Sequence, residues 1–275
     1  MLTPDEKVHF PSPRLSRRTA LIITFGALAI VYGLWNIPQL DFLVYPFRLF
    51  VSYVHEAGHG IMAMLSGGRV VGFRIFADGS GLATTQGGSR LLILPAGYLG
   101  AAFFGAVLFY IVNRYHAARS VSVCIGIMLV VFSALFARPD SDGVPIALVV
   151  GLLAGLGLIG LGIKTGLIPN LIMLNILAIM TALNAVLDLV FLIRNSGIIM
   201  EARGGLIRND AAAFTAEVMP FVPPVILALL WAALALAMIG AAVYFSLVRP
   251  FLREPKPKQE SPLDLASKIR VDDRF

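Results

Sequence analysis

The stretch "FVSYVHEAGHGIMAML", residues 50–65, places two histidines, a glutamate and two glycines inside an otherwise apolar run. His55 and His59 are four residues apart, so on a helix both imidazoles lie on one face, about one turn from each other. That spacing suits two ligands of a single zinc ion, and Glu56 beside them suits a general base. Ionisable groups inside a bilayer cost about 2.5 kcal/mol or more each and are kept there for function. The plainer alternative is that the two rings only hydrogen-bond neighbouring helices. The chain has four histidines in all, and two of them sit in this motif.

The surroundings of the motif are those of a membrane protein. The chain has 275 residues, 58% hydrophobic and 14% charged, whereas a soluble domain carries about 25% charged residues. Seven segments are apolar for about 18 residues or more, the length that crosses a bilayer. They run at roughly 20–37, 42–66, 91–112, 120–137, 144–163, 170–193 and 221–248. The fold class expected is therefore an all-α polytopic membrane protein of about seven transmembrane helices. Residues 1–18 read as a polar cytoplasmic arm, 19–249 as one membrane-embedded domain, and 250–275 as a charged, disordered tail.

Lys7, Arg14, Arg17 and Arg18 precede the first apolar run with no small-residue cleavage site after it, which favours a retained anchor over a cleaved leader. The single cysteine, Cys124, excludes an internal disulfide and a thiolate-rich zinc cluster. The net charge of +6 needs no nucleic acid, because basic loops set membrane orientation. With the N-terminus inside, the inner side carries Arg69, Arg74, Arg90, Arg138, Arg194, Arg203 and Arg208, and the outer loops only Arg114, Arg119 and Lys164. After seven crossings the basic tail, with Arg249, Arg253, Lys256 and Lys258, falls outside, against that bias.

Residues 67–88, "GGRVVGFRIFADGSGLATTQGG", have β-branched runs around "ADGSG" and glycine pairs at both ends. This is a hairpin signal and places a small β-hairpin at the membrane surface, directly after the His-bearing helix. Residues 195–220 read as a mixed loop with a short interfacial helix. Gly151 with Gly155, and Gly162 with Gly166, form GxxxG pairs that permit close helix packing.

A catalytic zinc takes three protein ligands and keeps one position open. His9 lies in the arm and His116 on the opposite side, so neither suits the third place. Asp188 is the only carboxylate deep in a later apolar run, "NILAIMTALNAVLDLVFLI", and Asn184 shares its helical face. The His pair and Asp188 both fall roughly 8–14 Å below the inner boundary by helical rise. Asp140 and Asp142, in "RPDSDG", look like a helix-start loop, and Asp142 is the second choice for the ligand.

The run "HEAGHGIMAMLSGGRVVGFRIFADGSGLATTQGGSRLLILPAGYLGAAFFGA" resembles the membrane zinc peptidases related to site-2 protease, specifically their B-like subgroup. The resemblance covers roughly residues 48–195. It implies that His55, His59 and Asp188 hold zinc, that Glu56 is catalytic, and that Asn184 is the asparagine found upstream of the metal aspartate. It further implies membrane-associated protein substrates and a multi-pass place in the lipid bilayer of a bacterial plasma membrane, with no nucleic acid. Zinc in such a site brings a water's pKa to about 7, Glu56 moves its proton, and Asn184 donates to the substrate or oxyanion. An extended substrate strand can add to the hairpin's edge. The alternative class is an inactive zinc-binding scaffold or chaperone, which has no need of Glu56.

Overall fold

The computed structural model describes residues 17–115, 117–137, 145–194, 200–202, 205–207 and 209–252. His9, His116, Asp140, Asp142 and nearly all of the expected arm and tail lie outside the described residues.

The first helix, α1 (Arg17–Asn36), stops just short of Pro38. Proline lacks the N–H and clashes with the preceding turn, so the helix cannot run on. A 3-10 turn, Pro38–Leu40, leads into α2 (Asp41–Leu65). The two helices meet at a bend of 102° and form one broken apolar unit. Five further helices are each long and apolar enough to cross a membrane. They are α4 (Ala96–Arg114), α5 (Ala118–Phe136), α6 (Ile146–Lys164), α7 (Leu167–Arg194), and α9 (Pro224–Val243) continued by a π-helical turn, Tyr244–Val248. The expected seven spans thus become five and a bent pair. The reason is legible in α2, whose length carries Asp41, Arg48, His55, Glu56 and His59; it walls a site and is not sheathed in lipid all round.

Between α2 and α4 lies the expected hairpin. Strands β1 (Arg69–Ile75) and β2 (Gly81–Gln86) pair antiparallel, with a bulge between Val70 and Gly72. The turn closes through Phe76 N to Ser80 O at 2.8 Å, and Gly79 takes a φ of +90°, which a side chain would disfavour. A one-turn helix, α3 (Arg90–Ile93), joins the hairpin to α4. After α7, two three-residue strands, β3 (Met200–Ala202) and β4 (Gly205–Ile207), pair and lead to α8 (Asp210–Glu217). A final turn, α10 (Arg249–Leu252), follows α9.

Small residues bring the helices close, as the GxxxG pairs suggest. A Cβ added at Gly155 would stand 2.8 Å from Gly126 O, and one at Gly162 would stand 2.7 Å from Arg119 O, so α5 and α6 touch backbone to backbone. Gly166, by contrast, faces open space. Buried polar side chains tie further pairs. Thr24 donates to Asn113 Oδ1 at 2.9 Å and Asn113 donates to Asn175 Oδ1 at 2.8 Å, linking α1, α4 and α7. Tyr53 and Ser133 share a hydrogen bond of 2.7 Å between α2 and α5. Such bonds are each worth about 0.6 kcal/mol on average between membrane helices, so they register the bundle more than they stabilise it.

Candidate metal centre and its cavity

Helix α2 presents His55 and His59 side by side, as four-residue spacing requires. Their Nε2 atoms lie 3.1 Å apart. His59 Nδ1 donates to the carbonyl of Ile93 at 2.7 Å, at the end of α3, which leaves Nε2 of the neutral ring as an acceptor. The edge of the His55 ring packs at 4.6 Å on Tyr98 of α4. Tyr98 in turn stacks on Trp231 of α9.

The acid that meets the imidazoles is Asp210, at the first position of α8. Its Oδ2 lies 3.4 Å from His55 Nε2 and 3.3 Å from His59 Nε2. Asn209 caps the helix by accepting from Ala212 N at 2.8 Å, so the start of α8 is fixed one residue before the ligand. Phe214 is buried and packs edge-on against Trp231 at 5.7 Å, which seats α8 on α9. On the far end Glu217 accepts from Arg90 of α3 at 2.6 and 3.2 Å. Burial pushes the Asp210 carboxyl up, but the charges and hydrogen bonds of His59 and His55 outweigh it and hold it well below the usual carboxylate range.

Asp188 was expected in the third place; the ligand atoms that lie together among the described residues are those of His55, His59 and Asp210. Asp188 Oδ2 accepts from Asn184 Nδ2 at 2.7 Å, one turn back on α7, and both residues line the cavity beside the His pair. Shared depth does bring them to one cavity, as expected. What depth alone could not show is that the start of α8 lies against the His pair. The only sign in the sequence was "NDAAAF", a capping asparagine and an acid at the start of a helix on the arginine-rich side.

The residues fit a metal ion. With legs of about 2.0–2.1 Å, a tetrahedral zinc site has ligand–ligand edges of about 3.3–3.4 Å. The three edges here are 3.1, 3.3 and 3.4 Å. Three ligand atoms this close to one another are compatible with one metal ion between them. Gly97, at the start of α4, keeps that point open, because a Cβ there would overlap both Nε2 atoms. Gly58 likewise admits the carbonyl of Ala96, which brings α4 against α2 at this level.

Glu56 is buried, and its Oε2 accepts from the backbone N–H of Ala83 at 2.7 Å. Gly81 lies against the same side chain, and a Cβ there would stand 2.5 Å from Glu56 Cγ. Ala83 therefore points its N–H away from β1, and the hairpin edge that faces the site belongs to β2. Ser52 Oγ donates to the carbonyl of Gly79, and Tyr45 donates to that of Ala77 at 2.9 Å, so α2 also holds the turn. A cavity of about 420 Å³ opens beside His55 and Glu56. Its walls come from α2, the hairpin turn, Tyr98 and Ala101 of α4, and Met180, Asn184 and Asp188 of α7.

Apolar helices long enough to cross a membrane thus surround an HExxH pair, a convergent carboxylate and a cavity of mixed lining, an arrangement compatible with a multi-pass membrane metalloprotein. The chain belongs to the peptidase M50B-like family, whose profile matches residues 23–242. No curated protein and no solved structure is matched.

Proposed function

We propose that this chain is a zinc metalloendopeptidase that hydrolyses peptide bonds of membrane-associated proteins within or beside the bilayer. The observation that carries this reading is the triangle of His55 Nε2, His59 Nε2 and Asp210 Oδ2 at tetrahedral spacing, with Glu56 on the next position of the same helix. These three residues would hold the zinc. When bound, the ion supplies Lewis acidity, polarising the scissile carbonyl and making water acidic near neutral pH.

The rest is the work of the chain. Glu56 takes the proton of the attacking water on its carboxylate and returns it to the leaving amine. Before substrate docks, the Ala83 N–H holds one of the Glu56 carboxylate oxygens. Asn184 uses one amide N–H on Asp188; an amide has two, and the second is free to be donated to a substrate carbonyl. Tyr98 and Trp231 wall the imidazole side from lipid. The cavity, lined in part by Arg48, Ser52, Asp78, Ser80, Asn184 and Asp188, offers the space for water that hydrolysis at membrane depth requires. In this reading the site faces the cytoplasm, which the arginines at 69, 74, 90 and 194, at or near the ends of their elements, support by the positive-inside bias.

The test is a comparison of wild type with Glu56→Gln in vesicles, scored by zinc content and by proteomics of the surrounding membrane proteins. The expected result is equal zinc with full-length substrates accumulating only in the variant. Equal zinc and no cleavage by wild type would give the reading to a zinc-binding scaffold.

A further inference from the structure

The same cavity that Glu56 lines carries, on α7, a carboxylate that the hydrolytic reading leaves without work. Asp188 lies about 9 Å along α7 from its end at Arg194, by helical rise, inside a span. An ionisable group at such depth faces a cavity or a partner and marks a functional position. Among the described residues Asp188 has no cation within ion-pair distance; its bond is to the neutral amide of Asn184. That amide holds the carboxylate in one orientation toward the cavity without neutralising it.

The charges around the cavity do not balance. Arg48 is the only lysine or arginine among the lining residues, and it is already bonded to Asp41. Against it stand Glu56, Asp78 and Asp188. The Ser80 hydroxyl and N–H keep the Asp78 carboxyl below the ordinary carboxylate range, so it remains charged. Even a divalent ion at the His55, His59 and Asp210 centre leaves this enclosure net negative.

We propose that Asp188, oriented by Asn184, is a specificity subsite for a basic side chain of the substrate, the lysine or arginine that flanks the cytoplasmic end of a membrane segment. The proposal rests on the peptidase reading above. The chemistry of the location agrees with it, because Lys and Arg flank spans on the cytoplasmic side, the side on which the peptidase reading puts the site. A cationic side chain in this cavity can lay its stem against the apolar part of the lining and bring its charge to the carboxylate.

The experiment uses the full-length chain in vesicles and two membrane-segment peptides, identical except for lysine or glutamine at one flanking position. Wild type should cleave the lysine peptide about tenfold more efficiently in kcat/KM, the worth of one charged hydrogen bond. Asp188→Asn should lose most of that preference while keeping its zinc, and Asp188→Glu should restore it. Loss of zinc in Asp188→Asn would make Asp188 a ligand and overturn the proposal. An equal slowing of both peptides would overturn it as well. A parallel binding measurement in the Glu56→Gln background, with and without Asp188→Asn, reads the preference without turnover. If wild type cleaves nothing, the peptidase reading fails, and the binding arm still decides the subsite.

Discussion

Asp210 Oδ2 stands 3.3 Å from His59 Nε2, although four long helices separate their elements in the chain. The carboxylate that meets the two imidazoles thus comes from a short helix, α8, and not from one of the long apolar helices. Asp210→Asn should weaken zinc binding by more than the roughly 10–100-fold that losing an outer hydrogen-bond partner costs, and Asp188→Asn should not. Chelator competition on the two purified variants decides between them.

Gly97 offers a purely steric test. A methyl group there would overlap the Nε2 atoms of both His55 and His59, while alanine itself is a good helix residue. Gly97→Ala should fold as well as wild type, by thermal unfolding without metal, and bind no stoichiometric zinc. Full zinc occupancy in this variant would show that the metal lies elsewhere.

The seating of α8 should control metal affinity from a distance. Phe214 is buried against Trp231, and truncating such a ring costs about 3–5 kcal/mol in a packed core. The Arg90–Glu217 pair is exposed on both sides, and exposed pairs contribute at most about 1 kcal/mol. Phe214→Ala should lower zinc affinity at least about tenfold, and Arg90→Ala less than about fivefold. A reversed order would mean that the ion pair, not the aromatic contact, positions Asp210.

Gly81 separates the base from the metal. A Cβ at Gly81 would stand 2.5 Å from Glu56 Cγ without being among the atoms that crowd the imidazoles. Gly81→Ala should leave zinc content unchanged and reduce kcat, by an amount approaching that of Glu56→Gln. Unchanged turnover would show that Glu56 has room to move aside, and that its present orientation is not the working one.

The histidines and Glu56 were legible in the sequence because helical spacing alone places them on one face, whatever the rest of the chain does. The hairpin was legible for a similar local reason, since glycine pairs and "ADGSG" set its ends and its turn. The span count was least legible at α1 and α2, where length and hydropathy describe each segment but not the 102° bend between them. Asp188 was reached by an argument from depth, and depth did bring it to the cavity. The approach of Asp210 to the His pair was not legible, because its position depends on contacts distant in sequence: Phe214 on Trp231, and Glu217 on Arg90. No local pattern encodes that docking, and a polar loop beside seven apolar runs offers little to separate one acid from another.

The hydrogen bond from Ala83 to Glu56 gives one donor two claimants. An open strand edge is a template for any extended chain, and here the free edge of β2 is occupied at Ala83 by the protein's own carboxylate. A strand that zips onto that edge must evict Glu56 from it, so docking of an extended polypeptide and release of the proton acceptor are one event.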